Sequence, residues 1–257
     1  MEREGAARPY AFFDLDGTLL PWDTQLLLAA FVFRRSGWRR FFLVPVLLAL
    51  PLKLGGLVDT RTLKRLFLGF LSGLEPGRIE AMADEFVDRV ALPAMWPEML
   101  AEIESRRGEG CVLVLNTASP GFYAERIARR LGFDHCVATG MEMGGGERLA
   151  WPPAFSGPNN KRRAKVEAMR ARGWLAPGSG LPLPGAWAYT DSAADLPLLE
   201  CAEFGVLVHP RRALRVLGEA KGWRVLRPLP AVSRWRRVIL GMALLFGCWN
   251  PSRGSNR

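Results

Sequence analysis

Histidine is nearly absent from this chain, with only His135 and His209, and cysteine is scarce. Cys111, Cys136, Cys201 and Cys248 are scattered, with no CxxC pair and no zinc-finger spacing. A metal site built from nitrogen and sulfur does not fit such a chain. Most of these cysteines stand in apolar runs and read as small buried side chains in a reducing compartment. There is no internal repeat and no low-complexity segment. The opening MEREGAARPY mixes acid and base and runs straight into an apolar stretch, so no secretory leader is expected there. A good membrane-spanning run is also missing. Phe41–Val58 comes nearest, but Pro45 and Pro51 interrupt it. Lys53 would cost roughly 2.5–3.5 kcal/mol at mid-bilayer.

What the chain does have is positive charge. Its 35 Lys and Arg stand against 25 Asp and Glu, a net +10 over 257 residues. That excess calls for an anionic partner, either nucleic acid or acidic lipid headgroups. Apolar segments alternate with helix-like ones. Tyr10–Phe13 reads as a buried strand, and so does the unbroken run Cys111–Asn116. Gly121–Leu131 follows as a helix, then the short segment HCVAT. Ala186–Thr190 and Phe204–Val208 repeat the theme around a helical DLPLLECA. The expected fold is therefore α/β, a doubly wound Rossmann-like parallel sheet. Residues 25–93 are helical in character and too long for an ordinary crossover, so they read as an inserted helical cap. Residues 1–24 and 94–232 would form the core, and 233–257 a basic, apolar tail. Met141–Asn160, with GGG and WPP, reads as a hairpin or irregular flap.

The carboxylates carry the chemistry. FFDLDGTLL places Asp14 and Asp16 just beyond the first strand, where open parallel sheets bind ligands, and Gly17 permits a tight turn. TDSAAD ends a second strand in Asp191 and Asp195. Four acids at one sheet edge repel one another unless a cation intervenes, and an all-oxygen set suits Mg²⁺. LNTASP sets Thr117 at another strand end, with the backbone N–H groups from Ala118 onward at a helix start to receive phosphate oxygens. Lys161, after GPNN, supplies positive charge, and Lys165 competes with it for that place. Positioning and charge neutralisation are what phosphoryl transfer needs, and an Asp nucleophile splits hydrolysis into two displacements. Each element alone has a plainer reading, as a turn, a helix cap or a solvated basic face; their order along the chain is what points to a site.

DLDGT, Thr117, Lys161 and DSAAD together resemble the haloacid dehalogenase superfamily, in its phosphoserine-phosphatase-like branch with a helical cap, over about Tyr10 to Arg227. The resemblance implies that Asp14 attacks phosphorus and ligates Mg²⁺. Asp16 would protonate the leaving oxygen, activate water and lend its backbone carbonyl to the metal. Thr117 and Ala118 would hold phosphate, Lys161 would tie the nucleophile to it, Asp191 would bind the metal and Asp195 would support it. Two departures stand out. Thr190 and Arg162 occupy positions where relatives often have Gly.

The apolar run Phe41–Val58 is flanked by Arg34, Arg35, Trp38, Arg39 and Arg40 before it and by Arg61, Lys64 and Arg65 after it. Ser233–Trp249 repeats the pattern, with arginines leading into about a dozen apolar residues, too few to cross a bilayer. Both read as segments lying at an anionic membrane surface or, alternatively, as protein core. Nucleic acid fits less well, because the basic residues adjoin aliphatic runs rather than aromatic platforms. The pattern is similar to that of bacterial phosphatidylglycerophosphate phosphatases of the same superfamily. The substrate expected is thus a phosphomonoester on a phospholipid, at the inner face of the cell membrane. A soluble phosphoserine-like metabolite and an inert membrane-bound scaffold are the competing readings. The soluble reading requires Phe41–Val58 to be fully buried.

Overall fold

The computed structural model describes residues 8–144, 147–175 and 180–229. The tail expected at 233–257 lies outside them. The chain opens with strand β1 (Tyr10–Phe13) and then turns wholly helical. It passes through α1 (Thr24–Arg35), a 3-10 turn (Gly37–Leu43), α2 (Val44–Leu54), α3 (Thr60–Phe67), α4 (Pro76–Phe86) and α5 (Pro97–Gly108). Alternation follows, through β2 (Val112–Pro120), α6 (Gly121–Arg130), β3 (His135–Thr139), α7 (Arg163–Ala171), β4 (Leu183–Thr190), a short α8 (Leu196–Leu199), β5 (Ala202–Val208), α9 (Arg212–Ala220) and β6 (Arg224–Leu226). The strands form one sheet in the order β3-β2-β1-β4-β5-β6. Every neighbouring pair is parallel. This is the order of a doubly wound, Rossmann-like sheet, and ligands in such sheets sit at the carboxyl ends where the order reverses. Here that point lies between β1 and β4.

Successive strand residues point to opposite faces, and β1 shows what this does. Phe12 packs with Val114, Val137, Val166 and Met169 on the α7 side of the sheet. Phe13 faces the other way, into the cluster that holds α1, α4 and α6, and stacks on Tyr189 at 4.2 Å between ring centroids. Burial on both faces explains why the central strands read as unbroken apolar runs rather than alternating ones. The segment Met141–Asn160 is irregular, as expected. Its backbone bonds to itself (Glu142 N–H to Ala154 O, 2.9 Å) and reaches the inserted helices (Gly73 N–H to Leu149 O, 2.8 Å).

Two expectations need correction. Strand β2 continues through Thr117 and Ala118 to Pro120, and α6 starts only at Gly121, so neither residue stands at a helix N-terminus. The basic flank of the apolar run is not uniformly outward either. Arg39 is buried and donates from Nη1 to Phe70 O at 2.6 Å and to Ser72 O at 2.9 Å. The apolar run itself is not core. Of the eleven residues of α2 only Ala49 is buried.

Arg39 therefore pins the 3-10 turn to the segment after α3. Arg39→Met removes the donor and leaves two carbonyls without their partner, at about 1–3 kcal/mol. At about 2–4 °C per kcal/mol for a chain of this size, the melting midpoint should fall by roughly 3–10 °C, measured by circular dichroism.

Candidate active site

Asp14 leaves β1 with its backbone N–H on Tyr189 O at 3.0 Å, which fixes the exit of the strand against β4. The turn that follows is tight. Gly17 N–H bonds Leu20 O at 3.0 Å and Gly17 has φ +80°. A Cβ on Gly17 would lie 2.4 Å from Asp191 Oδ2, so glycine is required here twice, by backbone angle and by the carboxylate packed over it. Asp191 N–H in turn bonds Thr18 Oγ1 at 3.1 Å, which ties the end of β4 to the same turn.

The acids converge. Asp14, Asp16, Asp191 and Asp195 line one cavity of about 420 Å³, together with Lys161 and Lys165. Lys165, on the first turn of α7, is buried and reaches Asp14 Oδ1 at 2.8 Å and Asp195 Oδ2 at 2.6 Å. Thr190 uses its hydroxyl to donate to Asp195 Oδ2 at 3.1 Å. Asp16 is held differently. Its Oδ1 accepts the Thr24 N–H at 2.7 Å, and its Oδ2 accepts the Ser119 hydroxyl. Thr24 bonds both Ser119 (3.1 Å) and Tyr123 (3.0 Å), so the start of α1 and the end of β2 are locked around this carboxylate.

Lys165, not Lys161, is the lysine in contact with Asp14. Lys161 lines the cavity, but it precedes α7 and stands exposed. One helical turn of advance is what brings a lysine inward. Asn160 anchors the approach, with Nδ2 donating to Asn116 Oδ1 (2.9 Å), Thr117 O (2.9 Å) and Val137 O (3.0 Å). Thr117 is buried behind the cavity wall, where its hydroxyl accepts Ser119 N–H at 3.0 Å. Ala118 lines the cavity itself.

Burial dominates the electrostatics. It pushes Asp14 up to about 7, against the opposing pull of Lys165. It pushes Asp16 up to about 6, with Asp23 adding to the rise and the Ser119 and Thr24 donations holding it back. For Lys165 burial works the other way, but Asp14 and Asp195 outweigh it and keep the ammonium above its ordinary range. The donor set fits a divalent cation in its chemistry. It is all carboxylate and carbonyl oxygen, and the cavity left by the missing Cβ of Gly17 admits the Asp191 carboxylate beside Asp14. Among the described residues no group of three or more acids is placed so that it could hold a metal ion by itself. Mg²⁺ does not demand one, because it keeps several waters and shares substrate oxygens.

Three further cavity residues had escaped the motif reading. Asp23, three residues beyond the β1 turn motif, caps α1 and accepts Gln25 N–H at 2.9 Å. Asn159 accepts from Lys64 Nζ at 3.1 Å. Lys64, from α3, also donates to Ala118 O, and burial lowers it to about 8 while Asp16 and Asp23 pull it back up. Lys64 had been assigned to the membrane flank. The motif GPNN was the one visible signal for Asn159 and Asn160.

Removing Lys165 leaves two buried carboxylates without their shared cation, a change that typically costs about 3–5 kcal/mol. Lys165→Met should lower turnover per folded molecule by about 10²–10³-fold, whereas Lys161→Met should lower it by less than about tenfold. Steady-state rates of the two variants, with folded fraction measured in parallel, decide between the lysines.

Comparison with known proteins agrees with this geometry. The family model described as haloacid dehalogenase-like hydrolase matches residues 11–200. A probable phosphatase of Mycobacterium tuberculosis is 27% identical over 235 residues, covering 90% of this chain and 79% of its own. A crystal structure of a protein of unknown function from Bordetella pertussis Tohama I superposes with a TM-score of 0.72 at 28% identity, covering 86% of this chain and 99% of that one. A substrate-bound phosphoserine phosphatase shares the fold, with a TM-score of 0.57 at 16% identity and coverage of 86% and 94%. With Asp14, Lys165, Asp191 and Asp195 gathered at the switch point of the sheet, the chain belongs to the haloacid dehalogenase-like hydrolases.

Proposed function

We propose that this enzyme, a phosphatase of its family, hydrolyses a phosphomonoester carried on a lipid headgroup, using Mg²⁺ and an aspartyl-phosphate on Asp14. The single observation that supports this most is the ammonium of Lys165 between Asp14 and Asp195, in a cavity that is also lined by Leu26, Val46, Leu63 and Phe67. In the first displacement an Asp14 oxygen bonds phosphorus as the ester P–O bond breaks, and Asp16 gives its proton to the leaving oxygen. In the second, Asp16 takes a proton from water as that water's oxygen bonds phosphorus. The aspartyl–phosphate bond breaks, inorganic phosphate leaves and the Asp14 carboxylate is restored. Thr24 and Ser119 hold Asp16 in place for both transfers. Lys165 neutralises charge beside the nucleophile and Ala118 borders the phosphate, while Thr117, behind the cavity wall, supports that stretch of β2 by accepting the Ser119 N–H. Asp14, the Asp16 carbonyl and Asp191 would hold Mg²⁺, with Asp195 behind them; when bound, the ion neutralises charge on the phosphoryl oxygens.

The substrate reading rests on the wall opposite the acids. Residues 25–93 act in it as a cap. Leu26, Val46, Leu63 and Phe67 from this segment line the cavity, and Lys64 adds a cation among them. An amphiphile with an anionic head suits that division, as phosphatidylglycerophosphate does, and places the enzyme at the inner face of the cell membrane. The fold shared with phosphoserine phosphatase favours a second reading, a small soluble ester.

Phosphate release should be screened across lipid and soluble monoesters, with Mg²⁺ and with a chelator. The lipid ester should be preferred at least about tenfold in kcat/KM, and chelation should abolish turnover. Asp14→Asn should retain its fold and lose about 10³-fold or more. Turnover confined to soluble esters rejects the lipid substrate. A second outcome concerns Lys64, which is charged below about pH 8 and neutral above it. KM for an anionic ester should therefore rise as pH passes about 8. In Lys64→Arg, whose guanidinium stays charged, that rise should disappear from the pH profile.

A further inference from the structure

Nine of the fourteen large apolar side chains exposed among the described residues fall between Trp38 and Leu57. Phe41 is 75% exposed, Leu48 69%, Leu54 89% and Leu57 79%. Scattered exposed leucines need no explanation, but a continuous apolar face marks an interaction surface. This face is held rather than frayed. Arg39 fixes its 3-10 turn from beneath, and Trp38 packs on Phe42 with ring centroids 5.9 Å apart.

Charge selects the occupant. Residues 34–66 contain eight Lys and Arg and a single acid, Asp59; Arg39 is buried and Lys64 turns to the cavity, which leaves Arg34, Arg35, Arg40, Lys53, Arg61 and Arg65 at least partly exposed. A second copy of the chain meeting this face across a twofold axis would set the same basic residues against themselves. An anionic bilayer would do the opposite, attracting each basic residue near its surface by up to about 1 kcal/mol. Length selects the mode. The eleven residues of α2 span about 16 Å, roughly half a hydrocarbon core. No described helix is long and apolar enough to cross a membrane. A helix too short to cross, with basic residues at its flanks, is left to meet the bilayer at its surface.

We propose that the face formed by the turn Gly37–Leu43 and α2 docks into the surface of an anionic lipid bilayer. The same helix carries Val46 on the cavity wall, so docking sets the cavity beside the lipid and lets an ester enter without leaving the membrane. This deepens the lipid reading above and rests on it for the substrate, while the docking itself is measured by binding.

The full-length protein should co-sediment with vesicles of phosphatidylcholine containing phosphatidylglycerol, and more weakly with phosphatidylcholine alone or at high salt. Leu48→Glu/Leu54→Glu should reduce partitioning to the anionic vesicles by about tenfold or more. Neither residue lines the cavity, so hydrolysis of p-nitrophenyl phosphate should stay within about twofold, and an unchanged circular dichroism melt shows that the variant folds. Vesicle binding unchanged in the variant overturns the proposal. So does a wild type that ignores anionic vesicles, or one that dimerises through this face and is made monomeric by the variant without binding lipid. Lipid binding lost in the variant, in a protein that releases phosphate from no ester, supports docking and sinks only the phosphatase reading.

Discussion

Asp14 and Asp195 are both more than nine-tenths buried, and burying two carboxylates together is costly unless a cation stands between them. The Lys165 ammonium is that cation. Its own burial would favour the neutral amine, and the two carboxylates outweigh that and keep it charged. Lys165 in return pulls Asp14 down against the rise that burial imposes. A nucleophile needs its negative charge, so the reactivity proposed for Asp14 depends on a residue that lies 151 positions away in sequence.

The geometry needed to deliver Lys165 is costly in backbone terms. Arg162 immediately precedes α7 with φ +58°, a region in which non-glycine residues are uncommon. Here an arginine is held in a conformation that glycine adopts without strain. Asn160 supplies part of the restraint, with three hydrogen bonds to the ends of β2 and β3. Gly17 shows the complementary solution. Its positive φ and absent Cβ let the Asp191 carboxylate pack onto the turn after β1. One position keeps the glycine, and the other holds its backbone angle without it.

The central sheet was legible because its signals are local. Unbroken apolar runs ending in acids marked β1 and β4, and alternation with helices gave the parallel topology. Short β6 and helix α9 carried no comparable signal. The identity of the lysine was not legible. Lys161 and Lys165 both lie in KRRAK, and choosing between them requires knowing where α7 begins. The helix starts at Arg163, which turns Lys165 inward and leaves Lys161 in solvent at the cavity rim. Lys64 was misread for a related reason. Its basic neighbours suggest a flank facing an anionic membrane surface, whereas the turn of α3 directs it to Ala118 and Asn159. Burial of Arg39 follows the same rule. In a basic cluster, composition says that charge is present and only packing says where each charge goes.

Helix α2 joins the chemistry to the surface. A helix that is apolar all round is ordinarily buried on every side, yet α2 buries only Ala49 and turns Val46 to the cavity and Leu47, Leu48 and Leu54 outward. A soluble-substrate enzyme would require only the inward side, and polar residues outside would serve it better. The retained outward leucines, set in a segment with eight basic residues, make sense if the substrate's apolar part and the surface it comes from are the same medium. Under that reading one short helix would form both the cavity wall and the contact with the lipid, and Pro51, in its interior, sits where a spanning helix would be least able to tolerate it.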